Sequence, residues 1–332
     1  MTAFVLRRTG SMLGVLVALT IVLFSLQELS GVDPARAYVG ANASAGAVDR
    51  ARASLGLDQP APIRYLAYLG GLLHGDLQNS LRTRTPVAEG IATAFPATLE
   101  LAMWTLALAL LLGAAFAFLT VIRWRGAGVV RIVLLSGAAA PTFLLASVGL
   151  LFLYGKLGLV PANGRSSFTE SSPGPTGLLV VDAVLAGRVD VAGDAVWHLL
   201  LPAACAAVSP AVAIGRVLVD GLRTNLVADH ARTARSAGMR ESAVLLRHAL
   251  RNALGPTLSM IGLQAGMLLG GLVVVEKIVG WPGLGSYLDR SVQSSDFPGI
   301  AGVALLLGVS FVVLNTVVDL LQVVVDRRLA LA

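Results

Sequence analysis

The chain has 332 residues, of which 56% are hydrophobic and only 13% charged, with 36 glycines. An average soluble domain carries about 25% charged residues, so this chain is too poor in charge to coat a water-facing globule, and its mean hydropathy of +0.79 agrees. That composition excludes a soluble enzyme and indicates an integral membrane protein, in which the net charge of +6 is tested first against membrane topology and only then against nucleic-acid binding.

A membrane-crossing helix needs about 20 mostly apolar residues. Six segments qualify, at about 12–27, 98–122, 132–154, 196–219, 257–275 and 300–325. The first has a rival reading as a cleaved signal peptide, because Arg7 and Arg8 precede it and Ala35-Arg36-Ala37 resembles a cleavage site. Its apolar stretch, 11–26, is long for that role and the site lies well beyond it, so a retained anchor is expected. The loop from about 30 to 96 is too long for a simple connection. Within it, Tyr65, Leu66, Leu69, Leu72 and Leu73 fall near helical spacing and predict a short amphipathic helix at the membrane surface. It is read either as a docking surface or lid, or as a packing element.

Pro141, Pro202 and Pro210 interrupt the third and fourth segments and are candidate hinges. Glu100, Lys156, Arg216, Asp220 and Glu276 fall near segment ends, where reaching back to water is the cheaper explanation of a charge. His198 sits at the entry to the fourth. Asp319 and Gln264 lie deeper and are read as buried polar contacts, not as a proton relay. Gly262, Gly266 and Gly270 recur every four residues in the fifth segment, a spacing that lets helices approach closely.

Arginine placement orients the set. Arg7 and Arg8, then Arg123, Arg125 and Arg131, then Arg223, Arg232, Arg235, Arg240, Arg247 and Arg251, and finally Arg327-Arg328 all fall on one side if the N-terminus is cytoplasmic. On the other side, Arg165 and Arg188 sit among Glu170, Asp182, Asp190 and Asp194. The six arginines of the long first loop weigh little, since loops of that length obey the rule weakly. Both termini are expected in the cytoplasm.

The segment richest in information is 223–256, RTNLVADHARTARSAGMRESAVLLRHALRNALGP. It is long for a loop and strongly helix-forming. Ala228, Ala231, Ala234 and Ala237 recur every three residues, small enough for a partner's backbone to approach, with Arg232 and Arg235 beside them to meet carboxylates or carbonyls. Gly238 is placed for a left-handed helix cap. A second short helix is expected over about 241–254, before Pro256 opens the fifth span. The pair reads as a lever, or alternatively as an interfacial helix touching lipid phosphates.

Reactive constellations are missing. Only two of the 25 basic side chains are lysines; Lys156 is followed by Leu157 and Lys277 by Ile278, so neither fits a phosphate-binding Gly-x-x-x-x-Gly-Lys-Ser/Thr loop. The four histidines, at positions 74, 198, 230 and 248, are dispersed and make no metal-ligand pattern. No Gly-x-Ser-x-Gly elbow occurs, and Cys205 is the only cysteine.

The 223–256 stretch resembles the signature loop of bacterial ABC-importer permeases, in which Glu-Ala-Ala is followed three residues later by Gly. Aligned on Gly238, that triplet is Arg232-Thr233-Ala234, so Ala234 and Gly238 match the general form. ARTARSAG followed by RHALRNAL and a proline is similar to the dipeptide and oligopeptide branch. The likeness extends to HGDLQNS (74–80), TPVAEGI (85–91), FPATLELA (95–102), GLVPANGR (158–165), His198-Leu199-Leu200-Leu201-Pro202 and VVVEKIVGWPGLGSYL (273–288). Gln78 stands where glycine is usual, and Asp326-Arg327-Arg328 where Asp-Pro-Arg is more common.

The resemblance implies an all-α permease fold of the type I importer kind, in the bacterial inner membrane. It has a first helix and long external loop over 1–96, and a five-helix core over 97–332 carrying coupling helices between helices 4 and 5. It implies half of a translocation pathway for di- or oligopeptides and no catalysis of its own. It also implies a second permease subunit, two cytoplasmic ATPase subunits or domains that bind ATP and magnesium, and an extracytoplasmic binding protein. Arg232, Thr233, Ala234, Arg235, Gly238, Arg240, Glu241 and His248 are the residues expected at the ATPase contact. Relatives for nickel, haem, glutathione or oligosaccharide are the alternative within the family. An ion-coupled transporter or an intramembrane enzyme is the alternative outside it.

Overall fold

A computed structural model of the protein describes residues 2–40, 42–122, 124–168 and 174–325. Arg123, Glu170, Asp326, Arg327 and Arg328 lie outside the described residues, as do the side chains of Arg7, Arg8 and Asp319. Helices α1 (Thr2–Leu29), α2 (Pro34–Val39), α3 (Ala45–Ser54) and α4 (Ala61–Leu73) precede α5 (Val87–Val121). Next come α6 (Ala127–Ala139) and α7 (Thr142–Gly149), the latter continued by a π-helical turn over Leu150–Lys156. Helix α8 (Leu179–Leu185) leads into α9 (Val189–Val227) and α10 (Asp229–Ser236). Helix α11 (Glu241–Ala243) runs through a π-helical turn, Val244–Ala249, into α12 (Leu250–Ile278); α13 (Leu284–Gln293) and α14 (Phe297–Val325) close the chain. Among the described residues there is no sheet, only an isolated bridge between Asn79 and Pro86.

Four helices are long and apolar enough to cross a membrane: Val87–Val121, Val189–Val227, Glu241–Val279 and Phe297–Val318. A fifth span results if the pair Ala127–Ala139 and Thr142–Lys156 is taken as one, and Gly14–Leu29 is a shorter apolar helix. The expected third segment, 132–154, falls on that pair, which is bent by 108° at the break that contains Pro141. Proline explains the break, because Pro141 forces Ala140 out of the helical region, to φ −84° and ψ 139°. Pro202 and Pro210, by contrast, lie inside the unbroken α9, and Pro256 lies inside α12. A membrane helix tolerates the single hydrogen bond each proline removes.

The chain forms two compact units, 1–97 with 282–310, and 98–281 with 311–332. In the first, Asp33 caps α2 by accepting from the Ala35 amide (3.0 Å) and also holds Arg52 (2.6 Å). The predicted amphipathic segment at 65–73 lies in α4, which packs on α1. Thr20 and Tyr65 share a hydroxyl hydrogen bond (2.9 Å), Phe24 meets Tyr65 edge-on, and Arg64 grips Glu28 with two bonds. A core of Val87, Ile91, Ala94, Leu284 and Val303 joins the start of α5 to α13 and α14.

The second unit is organised around α9, whose buried face meets α6, α7, α8 and α12. Small residues set the closest approaches. A Cβ on Gly113 of α5 would lie 2.9 Å from the Ala211 carbonyl, and one on Gly221 of α9 would lie 2.9 Å from Ala253 of α12. The reading of Glu100 as a residue reaching for water is corrected. It is 3% exposed, takes a charge-assisted hydrogen bond from Arg165, and accepts from the Val180 amide (2.7 Å). This buried carboxylate ties Arg165 and Val180 to α5. Glu276 is likewise fully buried.

Candidate coupling site

Helix α9 stops at Val227 because Ala228 turns to extended backbone, φ −70° and ψ 158°, and α10 starts afresh at Asp229. Two turns later α10 ends in a Schellman motif. The Met239 amide donates to the Ala234 carbonyl (3.2 Å) and the Gly238 amide to the Arg235 carbonyl (2.9 Å). Gly238 itself adopts φ +78°, the left-handed conformation that glycine enters at no steric cost. Met239 tucks back against the cluster of Ala231, Ala234 and Val244.

That cluster corrects the role expected for the alanines. Ala231 is fully buried and Ala234 is 7% exposed, both against the first turns of the helix that follows Gly238. Their side chains pack on Val244 of this same chain, whereas Ala228 and Ala237 lie outside the cluster. The second short helix is corrected too: 241–254 is the opening of one continuous helix, Glu241–Val279, that runs through Pro256. The arrangement is therefore one short helix folded against the base of a spanning helix.

Arg235 holds the corner. Its Nε and Nη2 donate to the two carboxylate oxygens of Glu241 (2.6 and 3.1 Å), and its Nη1 donates to the Leu226 carbonyl at the end of α9 (2.8 Å). One guanidinium thus links α9, α10 and α11 across the reversal, and its hydrogen bond to Glu241 raises its pKa above the usual arginine value. No helical periodicity connects positions 235 and 241, so this clasp had no signal in the sequence. Thr233 Oγ1 donates to the Asp229 carbonyl one helical turn back (3.0 Å), on the exposed side.

Arg232 points outward beside Asp229, at 3.6 Å, with its side chain 72% exposed. Arg240 caps the start of α11 and is exposed, while His248 is half-buried in the π-helical turn. On α12, Gly262 packs against Val318 and Gly266 against Phe311 and Asn315, all on α14. Gly270 faces open space and takes no part in that contact. The site presents a corner with exposed Arg232 and Arg240, attached to two spanning helices. Among the described residues no group of three or more His, Cys, Asp or Glu side chains could hold a metal ion.

The profile of the family described as "Binding-protein-dependent transport system inner membrane component" matches residues 86–331, and that of its N-terminal region matches residues 1–102. The chain is similar to the probable D,D-dipeptide transport system permease protein DdpB of Escherichia coli strain K12, at 36% identity over 97% of this chain and 96% of that one. It is 33% identical to the dipeptide transport system permease protein DppB of Alkalihalophilus pseudofirmus, over 99% of both chains. It is also 33% identical to the di/tripeptide transport system permease protein DppB of Pseudomonas aeruginosa, again over 99% of both. Among solved structures, an amino acid ABC transporter crystallised with histidines shares the fold, with a TM-score of 0.52 at 14% identity over 71% of this chain and 94% of that one. The chain belongs to the binding-protein-dependent transport system inner membrane components, the permease subunits of ABC importers.

Proposed function

We propose that this permease forms half of a pathway importing di- or oligopeptides, and that the corner at 228–241 seats in a groove of a separate cytoplasmic ATPase. The relatives named for dipeptide and di/tripeptide transport, aligned over almost the whole chain, support the peptide reading. The observation that carries the coupling role is the Arg235 clasp. A push on α10 is delivered to α9 and α12 together, because Arg235 binds both the end of α9 and Glu241. Exposed Arg232 and Arg240 face the ATPase surface, with Thr233, Ala234, Gly238, Glu241 and His248 shaping the corner behind them.

The full assembly has a second permease, two ATPase subunits or domains that supply ATP and magnesium binding, and an extracytoplasmic receptor. This chain itself is non-catalytic. It lies in the bacterial inner membrane with six spans, α1 being the first, and both termini in the cytoplasm. Residues 1–96 form the first helix and its external loop, and 97–332 the five-helix core. Reconstitution of the assembly in proteoliposomes tests the reading: peptide uptake should require ATP inside and the ATPase present. Uptake driven by a proton or sodium gradient alone would overturn it.

A further inference from the structure

The first unit builds a cationic pocket of its own. The chain between Asn79 and Pro86 makes a tight turn. The Ser80 amide donates to the Thr85 carbonyl (3.0 Å) and the Arg84 amide to the Ser80 carbonyl (2.9 Å). Arg84 takes φ +59°, a left-handed conformation that a non-glycine residue adopts only when its surroundings impose it. Asp296, 1% exposed, holds the start of this turn by accepting from Ser80 Oγ (2.5 Å) and from the Leu81 amide (2.9 Å). The turn is thereby pinned beside the end of α13, and Arg82 is carried at its tip.

Helix α13 brings Tyr287 and Arg290, three positions apart and so on one face. Tyr287 is seated by Gly90 of α5, where a Cβ would come within 2.5 Å of the ring. The cavity between turn and helix is about 420 Å³, lined by Arg82, Thr83, Thr85, Thr93, Tyr287 and Arg290. No acidic side chain lines it, and neither Arg82 nor Arg290 has a carboxylate within salt-bridge distance among the described residues. The nearby acids are committed elsewhere: Asp296 to the turn, and Asp289 to Gln293 (2.7 Å). Burial, then Asp296, hold the Tyr287 hydroxyl protonated against the opposing pull of Arg82 and Arg290, so it remains a donor. Two planar guanidinium groups and a phenol converging on one concavity match the fork of a carboxylate. The concavity has the size of a small-molecule site, typically about 300–1,000 Å³.

We propose that this pocket binds the free C-terminal carboxylate of a short peptide entering the permease; the inference rests on the peptide reading above. Arg82 and Arg290 form the charge-assisted bonds, Tyr287 donates a third, and Asp296 acts as a positioning residue. The test uses the complete transport complex in lipid nanodiscs, with phenylglyoxal labelling of individual arginines read by mass spectrometry. Dialanine should slow labelling of Arg82 and Arg290, and dialanine amide should not. In proteoliposomes, Arg82→Gln combined with Arg290→Gln should raise the KM for dialanine uptake about ten- to hundredfold, the loss expected for hydrogen bonds to a charged group. Both side chains are exposed and, among the described residues, free of internal ion pairs, so the double variant should assemble with its partner subunits at wild-type yield. Equal protection by the amide, by inorganic phosphate, by phosphatidylglycerol, or by the peptide-free receptor would overturn the proposal. An unchanged KM in the double variant would remove it as well. Absence of any dialanine uptake by the wild-type complex would instead remove the peptide reading, and with it the ligand assigned here.

Discussion

Gly238 sets the shape of the coupling corner through one backbone angle. Its φ of +78° costs an ordinary L-residue about 1–2 kcal/mol, while asparagine visits that region more readily. Nothing lies within 4 Å of where a Cβ would stand, so a substitution acts on the backbone and not by collision. Gly238→Asn should therefore keep most ATP-dependent uptake. Gly238→Val should lower it about five- to thirtyfold, the factor to which about 1–2 kcal/mol corresponds. Membrane yield should be unchanged in both, and normal uptake by the valine variant would sink the assignment. The glycine was legible in the sequence because helix caps obey local rules. The Arg235 clasp on Glu241 and Leu226 was not, because it spans a reversal whose angle had first to be known.

At the scale of the element, the glycines of α12 separate by neighbour. A Cβ on Gly262 would run into Val318, and one on Gly266 would meet the Phe311 ring at 2.7 Å, whereas Gly270 has nothing within 4 Å. Overpacking of a close contact typically costs about 1–3 kcal/mol. Gly266→Leu should consequently lower the thermal unfolding midpoint of the detergent-solubilised protein, and Gly270→Leu should leave it where it is. Equal midpoints for the two would show that α12 and α14 do not pack at this contact. The four-residue spacing was readable; the identity of the partner helix was not, because periodicity names a face and says nothing of what covers it. The alanines of α10 make the same point: their spacing announced a close approach, and the fold supplied Val244 of the same chain.

For the whole molecule, sidedness follows from one helix. Glu241–Val279 has 39 residues and at 1.5 Å per residue is about 58 Å long, well beyond a hydrocarbon core of roughly 30 Å. Ser236, before it, and Gln293, after it, should then face opposite compartments, with Ser236 in the cytoplasm. In a Cys205→Ala background, a membrane-impermeant maleimide added to intact spheroplasts should label a cysteine at position 293 and spare one at position 236. Labelling of both from outside would refute the topology. Arginine placement is the ground for expecting this orientation, since the cost of moving charge through lipid is paid locally along the chain.

Residence in lipid, the positions of most spanning helices and the reversal at Gly238 were determined by sequence alone, because composition, apolar run length and cap chemistry act over a few neighbouring residues. The tertiary structure decided which prolines break a helix. Pro141 stands at a 108° bend, while Pro202, Pro210 and Pro256 lie inside helices that continue through them. It also decided which charges meet. Glu100 found Arg165, 65 positions away, and Asp296 found Ser80, 216 positions away, and through that contact Arg82 came to face Arg290. Such pairings depend on distances that exist only after the helices have assembled, so no local pattern could encode them.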